Sequence, residues 1–229
     1  MLVLSSKDRI SGTPSNGLFR FDSSLNGTYS VRSIVMQNSF YSVNSTNNQL
    51  YFVEMVEYIA VLVPGTYTPS ELADQIELQM NASGTYTYTV NYDSNLLKFV
   101  ISATGAFGFN LETFQTNSAY KLLGLNQVNY PRLAIQSSTN CIELSTYPIV
   151  YFRMPSASTD IILSNNSNNS VYFSVDGGFG DIIRQYFDNN EQVLTFYNHK
   201  ELPYSIVDSD GNLAENNGTD WYMILSKLS

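Results

Sequence analysis

The chain has 229 residues, 43% of them hydrophobic, and is long enough to bury the core of an all-β domain. Charged residues make up only 14% of the sequence, against roughly a quarter in average soluble proteins, and the formal net charge is −9. The 11 Lys and Arg residues are scattered without a basic run, which argues against direct nucleic-acid binding.

Cysteine usage and hydropathy indicate where the protein works. Cys141 is the only cysteine, so no internal disulfide can form and no oxidising compartment is implied. The apolar run within residues 1–10 is too short for a signal peptide, and no stretch approaches the length of a membrane span. We therefore expect a protein that is made and used in the cytosol, or in a particle assembled there, with no membrane span.

Period-two alternation of apolar and polar residues predicts strands through most of the chain. Residues 49–63 fit either two strands or one long bent strand, and the turn at Asp93 to Asn95 predicts a hairpin between residues 86–92 and 96–102. Many short strands at this spacing indicate a sandwich or a barrel. The remaining predicted strands cover residues 28–36, 141–144, 149–154, 159–163, 171–175, 193–197, 204–207 and 221–228.

Two helices are predicted between these strands. Thr68 to Glu71 has the form of a capping box with Pro69 at the first helical position, and Leu72, Ile76 and Met80 then fall on one face. A second helix is predicted over residues 111–123, with Gly124 as its C-cap.

Residues capable of catalysis or metal binding are scarce. His199 is the only histidine, and without a Gly-x-Ser-x-Gly elbow it is interpreted as a surface residue rather than part of a triad. Cys141 is interpreted as a packed side chain rather than a nucleophile. We therefore predict that the protein is not an enzyme and has no catalytic, cofactor-binding or metal-binding residues.

Two loops resemble ligand-binding motifs without matching them. Gly177 to Gly180 has no following Lys to hold a phosphate and is interpreted as a tight turn. Aligning Gly211 with the sixth position of a calcium loop places Ile206 and Asn217 where acidic ligands are needed, so Asp208 to Gly211 is interpreted as a turn.

Three short motifs follow one another in a distinctive order. Residues 61–80 read as a strand, a Pro-Gly-Thr-Tyr turn and a capped helix; residues 122–125 read Leu-Leu-Gly-Leu; and residues 204–225 read as a strand, an Asp-Gly turn, a polar loop and a strand beginning Asp-Trp-Tyr. In this order they resemble the minor capsid, or penton, proteins of the adenovirus-like and PRD1-like lineage of double-stranded DNA viruses. The Asn- and Tyr-rich composition resembles that of virophages and polinton-like viruses.

The resemblance implies an all-β fold: a single jelly-roll sandwich of two antiparallel sheets with one or two short inserted helices. It implies a homopentamer at the fivefold vertices of an icosahedral capsid, located in the virion and assembled in the host cytoplasm or a viral factory. The expected partners are the chain itself, a double-jelly-roll major capsid protein and other minor capsid proteins. The Arg-Gly-Asp loop of adenovirus pentons is missing from this sequence, so receptor binding by that route is not implied.

The Gly- and Pro-containing residues 1–27 are predicted to form an N-terminal arm that reaches a neighbouring subunit or the capsid interior, and residues 28–229 are predicted to form the single jelly-roll domain. The alternative function is a jelly-roll attachment or carbohydrate-binding protein on a virion surface.

Overall fold

The computed structural model describes the chain except residues 113, 114, 116, 145, 146, 159–169, 189, 190, 210 and 229. Its contacts divide the chain into two compact units. Unit 1 consists of residues 1–40 and 147–229, and unit 2 consists of the continuous residues 41–146. Each unit has its own hydrophobic core.

Unit 1 is built on an antiparallel sheet that contains nine strands among its described residues. A short 3-10 helix, Ser6–Asp8, follows the first strand. The strands are β1 (Leu2–Ser5), β2 (Ser11–Thr13), β3 (Asn16–Gln37), β9 (Ile149–Arg153), β10 (Ala157–Ser158), β11 (Ser170–Ser174), β12 (Ile182–Tyr186), β13 (Val193–Val207) and β14 (Trp221–Lys227).

The sheet of unit 1 folds back on itself. Its main hydrogen-bonded order is β1-β14-β3-β13-β9-β11, so β14 and β9 are three strand steps apart, which is roughly 14 Å in a flat sheet. The rings of Trp221 on β14 and Phe152 on β9 nevertheless lie with their centroids 4.8 Å apart. The long strands β3 and β13 must therefore bend, and the sheet closes over a single core as a sandwich.

Unit 2 combines an antiparallel sheet with one helix. The helix α1 covers Pro69–Ser83. The strands are β4 (Gln49–Val53), β5 (Glu57–Val61), β6 (Tyr88–Asp93), β7 (Lys98–Phe109) and β8 (Leu133–Ser137). The sheet order is β5-β4-β7-β6, with β8 paired to β7.

The predicted capping box starts α1. The Thr68 hydroxyl accepts from the backbone N–H of Glu71 at 3.3 Å, and the Glu71 carboxylate accepts from the backbone N–H of Thr68 at 2.8 Å. The predicted apolar face is buried: Leu72, Ile76 and Met80 are each 0% exposed and belong to the core of unit 2.

The fold-class prediction is confirmed: the protein is all-β with two antiparallel sheets and one α-helix among its described residues, consistent with a jelly-roll sandwich. The hairpin predicted around residues 93–95 is present as β6 and β7, with Tyr92 opposite Phe99. Residues 49–63 form two strands, β4 and β5, rather than one.

Two predicted elements are wrong. The described residues of the stretch 111–123 form no helix; they end in a single turn, closed by bonds from Gly124 N–H to Lys121 O and from Leu125 N–H to Tyr120 O. Gly124 has φ of 64°, so the residue itself is the expected left-handed cap. Residues 141–144 form no strand. The strand predicted at 159–163 lies outside the described residues.

The division predicted from the sequence, an arm of residues 1–27 and one domain of residues 28–229, stays a prediction; the two units meet elsewhere along the chain, after residues 40 and 146. Gly27 lies inside β3, where its φ of 112° allows the strand to bend rather than end, and Leu2–Ser5 pairs with β14. Leu4 is only 2% exposed, because its apolar side chain belongs to the core of unit 1. That residues 1–27 reach a neighbouring subunit or the capsid interior stays a prediction.

Truncation of Phe152 is expected to destabilise unit 1. Phe152 is 0% exposed and packs against Trp221, so Phe152→Ala should lower the free energy of unfolding by about 3–5 kcal/mol through the cavity it leaves. Trp221 is the only tryptophan, so its fluorescence during urea unfolding reports on unit 1 alone.

The matched control is Tyr197→Ala, which truncates an aromatic side chain that is 68% exposed on β13. This control should change the free energy by no more than about 0.5 kcal/mol. Equal effects of the two substitutions would contradict the assignment of Phe152 to the closing contact of the sandwich.

Candidate functional site

The single histidine and the single cysteine of the sequence belong to different units. His199 is partly exposed on β13, opposite Leu25 and between two register irregularities. Cys141 is exposed, with its Sγ atom 3.7 Å from the carbonyl oxygen of Leu96. Among the described residues, no group of three or more His, Cys, Asp or Glu side chains could hold a metal ion. That the chain has no catalytic, cofactor or metal residues stays a prediction.

The Gly-rich loop and the Asp-Gly loop use their polar groups internally. Gly178 N–H donates to the carboxylate of Asp181 at 2.7 Å, so the loop supplies its own anion. The Asp208 carboxylate accepts from the backbone N–H of Asn212 at 2.8 Å, and Gly211 N–H donates to the Asp208 carbonyl at 3.1 Å. Both loops have the geometry of turns.

A buried carboxylate in unit 2 was not predicted from the sequence. Glu54 follows β4 directly and is 1% exposed. Its Oε1 atom accepts from the backbone N–H groups of Thr85 at 2.8 Å and Tyr86 at 3.2 Å and from the Tyr88 hydroxyl at 2.9 Å, while the Thr85 hydroxyl donates to Oε2. A Cβ atom at residue 84 would come within 2.4 Å of Oε1, so Gly84 makes room for the carboxylate.

These donors take the place of a cation. Burial by itself raises the pKa of the Glu54 carboxyl, but the hydrogen bonds from Thr85, Tyr86 and Tyr88 outweigh it and hold the pKa below its ordinary value. Burial raises the pKa of Tyr88, and its bond to Glu54 raises it further, so the hydroxyl stays protonated and donates. The arrangement ties the turn after β4 to the segment between α1 and β6.

The same turn displays exposed apolar side chains. Met55 is 81% exposed and Val56 is 57% exposed, between β4 and β5. Arg132 donates from Nη1 to the Glu54 carbonyl at 2.8 Å and lies 3.6 Å from the Met55 sulfur, which brings the start of β8 to the turn. Leu133 on β8 is 52% exposed. We call Met55, Val56 and Leu133 the tip patch.

A second apolar row, the β5 row, lies along β5 and the two residues that follow it, at one end of the strand order of the unit 2 sheet. Ile59, Val61 and Val63 are 44%, 47% and 52% exposed, while Ala60 and Leu62 between them are 0% exposed. The alternation sends one set of side chains to the core and leaves the other in solvent. An exposed apolar row on an outer strand suits contact with another protein.

The sequence shows that these strands are apolar, but it does not show which of their side chains are exposed. The runs at residues 50–53 and 58–63 are apolar at nearly every position, as expected for strands covered on both faces. The period-two alternation of side chains does not show which face of a strand packs on the core of the same chain. The exposed side chains therefore could not be told from the buried ones.

No described helix is long and apolar enough to cross a membrane.

A buried carboxylate held by hydrogen bonds makes a testable contribution to stability. Glu54→Gln should lower the protection of β6 and β7 against hydrogen exchange at pH 7 by about 1–3 kcal/mol, because a carboxamide NH₂ cannot accept from Thr85. Because its pKa is lowered in the folded state, the carboxylate stabilises unit 2 above its unfolded pKa of roughly 4.3. This contribution is lost as the pH falls through the folded pKa, so acid should weaken the wild type more than the variant.

Mass-spectrometric hydrogen exchange, corrected for the intrinsic pH dependence of exchange, measures this difference. The control is Glu143→Gln, which changes an exposed carboxylate of the same unit. If Glu54→Gln is as well protected against hydrogen exchange as the wild type at pH 7, the carboxylate does not stabilise unit 2.

Comparison with known proteins finds likenesses among solved structures. No protein-family model matches the sequence, and no curated protein matches it. Among solved structures, the selenomethionine-labelled penton protein of mavirus aligns with 99% of this chain and 98% of its own, at 11% sequence identity and a TM-score of 0.49. The present chain is similar to that protein along nearly its whole length.

Proposed function

We propose that the protein is a structural capsid protein of a virion, a penton without enzymatic activity. Five copies would form a ring at each fivefold vertex of an icosahedral capsid, next to a double-jelly-roll major capsid protein and other minor capsid proteins. Assembly would take place in the host cytoplasm or a viral factory. The observation that carries the proposal is the set of exposed apolar side chains on a protein with few charges, exemplified by Met55 on the β4–β5 turn and Ile59 on β5.

The exposed apolar surface supports a protein that works in contact with other subunits. Isolated apolar side chains are normal on any surface, but rows and patches of them mark interaction sites. The tip patch and the β5 row are two such groups within unit 2. Only 14% of the residues are charged, which keeps the desolvation cost of covering such surfaces low.

The way these side chains are held also supports a structural role. Met55 and Val56 of the tip patch lie on a turn whose base is fixed by the hydrogen bonds of Glu54, and Arg132 contacts the Met55 sulfur. A surface that is already rigid loses little conformational entropy when a partner covers it. Such preorganisation suits a subunit that must fit a repeating lattice.

The order of sequence motifs supports the penton assignment within this class. Residues 61–80, 122–125 and 204–225 follow one another in an order that resembles that of the penton proteins of the adenovirus-like and PRD1-like lineage. A ring of identical subunits needs a head-to-tail contact that closes after five steps, made between two different surfaces of each copy. A chain with several apolar surfaces has the two different surfaces that such a contact requires.

Particles assembled with and without this protein test the proposal. Co-expression with the major capsid protein of the same virus should give capsids whose fivefold vertices carry extra density, in five copies of the 25.7 kDa chain. Cryo-electron microscopy of both preparations, compared at the vertices, measures the difference.

Vertices of identical density in the two preparations would contradict the penton assignment. A monomer or trimer that binds glycans on an array and stays outside the particle shell would instead support the attachment or carbohydrate-binding alternative.

A further inference from the structure

Four strands of unit 1 carry apolar side chains on both faces. In the hydrogen-bonded order β12, β3, β14 and β1, the inward side chains are at most 6% exposed and belong to the core: Leu4, Ile34, Met36, Ile183, Trp221, Met223 and Leu225. The opposite face of the same strands also carries apolar residues. We call these the outer face: Val3, Val35, Ile182, Tyr186, Tyr222 and Ile224.

Strand register brings the outer-face residues side by side. Tyr222 pairs with Val35, and Ile224 pairs with Val3, so these side chains are direct cross-strand neighbours. Tyr186 pairs with Ser33, which pairs in turn with Ile224, so the row continues across β3. The outer face is therefore one continuous surface rather than a scatter of exposed residues.

The outer face exposes enough apolar surface for the central part of an interface. Val3, Ile182, Tyr186 and Tyr222 are 49%, 60%, 74% and 39% exposed. Together the outer-face side chains present on the order of 500 Å² of surface, a large part of the roughly 800 Å² that each partner contributes to a standard protein interface. Sheets with two apolar faces are normally covered on both sides.

The outer face contains a concave groove. It has a volume of about 490 Å³ and runs between β12 and the start of β14, lined among others by Lys7, Val35, Ile182, Asp220 and Tyr222. The groove is mixed in character, with an apolar floor on β3 and polar groups at its ends. Such a concave surface fits a protruding loop or edge of a folded protein.

The outer face carries positive charge, whereas the chain as a whole has a net negative charge. Lys7 and Arg184 are both exposed here, and no ion pair joins either of them to a described residue. The one carboxylate in the groove, Asp220, already accepts from the Ser6 hydroxyl at 2.7 Å and lies 3.6 Å from Arg9. The whole chain has 20 acidic and 11 basic residues, so the rest of its surface is acidic.

We propose that the outer face binds a second copy of this chain. Another copy supplies an acidic surface for Lys7 and Arg184 and a low-charge surface for Tyr186 and Tyr222. Two cations without a basic run cannot track a nucleic-acid backbone. This proposal rests on the proposed function for the closed ring. It adds the surface through which one subunit of the ring binds the next.

The test compares two tyrosines with nearly equal exposure. Tyr186→Asp places a charge on the outer face, whereas Tyr197→Asp makes the same change on β13, outside it; the two side chains are 74% and 68% exposed. Sedimentation of the full chain over a range of concentrations measures self-association. We expect Tyr186→Asp to weaken it by about 30-fold or more, the size of an interface hot spot, and Tyr197→Asp to leave it within about threefold.

A second measurement on the unaltered protein does not depend on how the variants fold. Carbene footprinting at low and high protein concentration should show Tyr186 and Tyr222 becoming protected on association while Tyr197 stays labelled. A wild type that stays monomeric, an oligomer that Tyr186→Asp does not weaken, or an oligomer in which Tyr186 stays labelled would each overturn the proposal.

Failure of this proposal can be told apart from failure of the proposed function. Vertex density in capsids together with an unprotected outer face would overturn only the assignment of the face. Self-association through the outer face together with unchanged vertices would overturn the penton assignment and leave the interface standing.

Discussion

Burial of Trp221 is the constraint on which unit 1 depends. Its ring meets Phe152, Tyr204 and Phe19 at centroid distances of 4.8, 5.0 and 6.0 Å, all edge-on. A buried indole N–H needs an acceptor, and the carbonyl oxygen of Pro14 provides it at 2.7 Å. Closing the sheet over this side chain therefore requires both the bend that brings β9 to β14 and the N-terminal residues that satisfy the indole.

In unit 2 the corresponding buried group is the charged carboxylate of Glu54, whereas in unit 1 it is the indole of Trp221. Glu54 is buried with no cation from the described part of the chain paired to its carboxylate, and hydroxyl and backbone donors stabilise the ionised form. The donors come from the segment after α1, so the position of that segment and the position of the β4–β5 turn are fixed together. The exposed Met55 on this turn is thus presented by a rigid base rather than by a loose loop.

Both units expose apolar side chains on strands whose other side chains fill a core. Ile59 and Val61 alternate with buried Ala60 in unit 2, and Ile182 alternates with buried Ile183 in unit 1. Strands of this kind leave one apolar face that the same chain does not cover, and such faces mark contact with another molecule. A protein that functions as one subunit among many meets that requirement by assembly.

The sequence by itself determined the elements whose signals are local. The capping box at Thr68 and the turn at Asp93 act within a few residues, so α1 and the β6–β7 hairpin followed from them. Only the tertiary structure decided the rest. Residues 117–119 pair with Gln49 on β4, so their backbone groups are not available to the helix that periodicity predicted. Likewise, two apolar sets on one strand are equivalent in sequence, and only the pairing of distant strands decides which set meets Trp221 and which faces solvent.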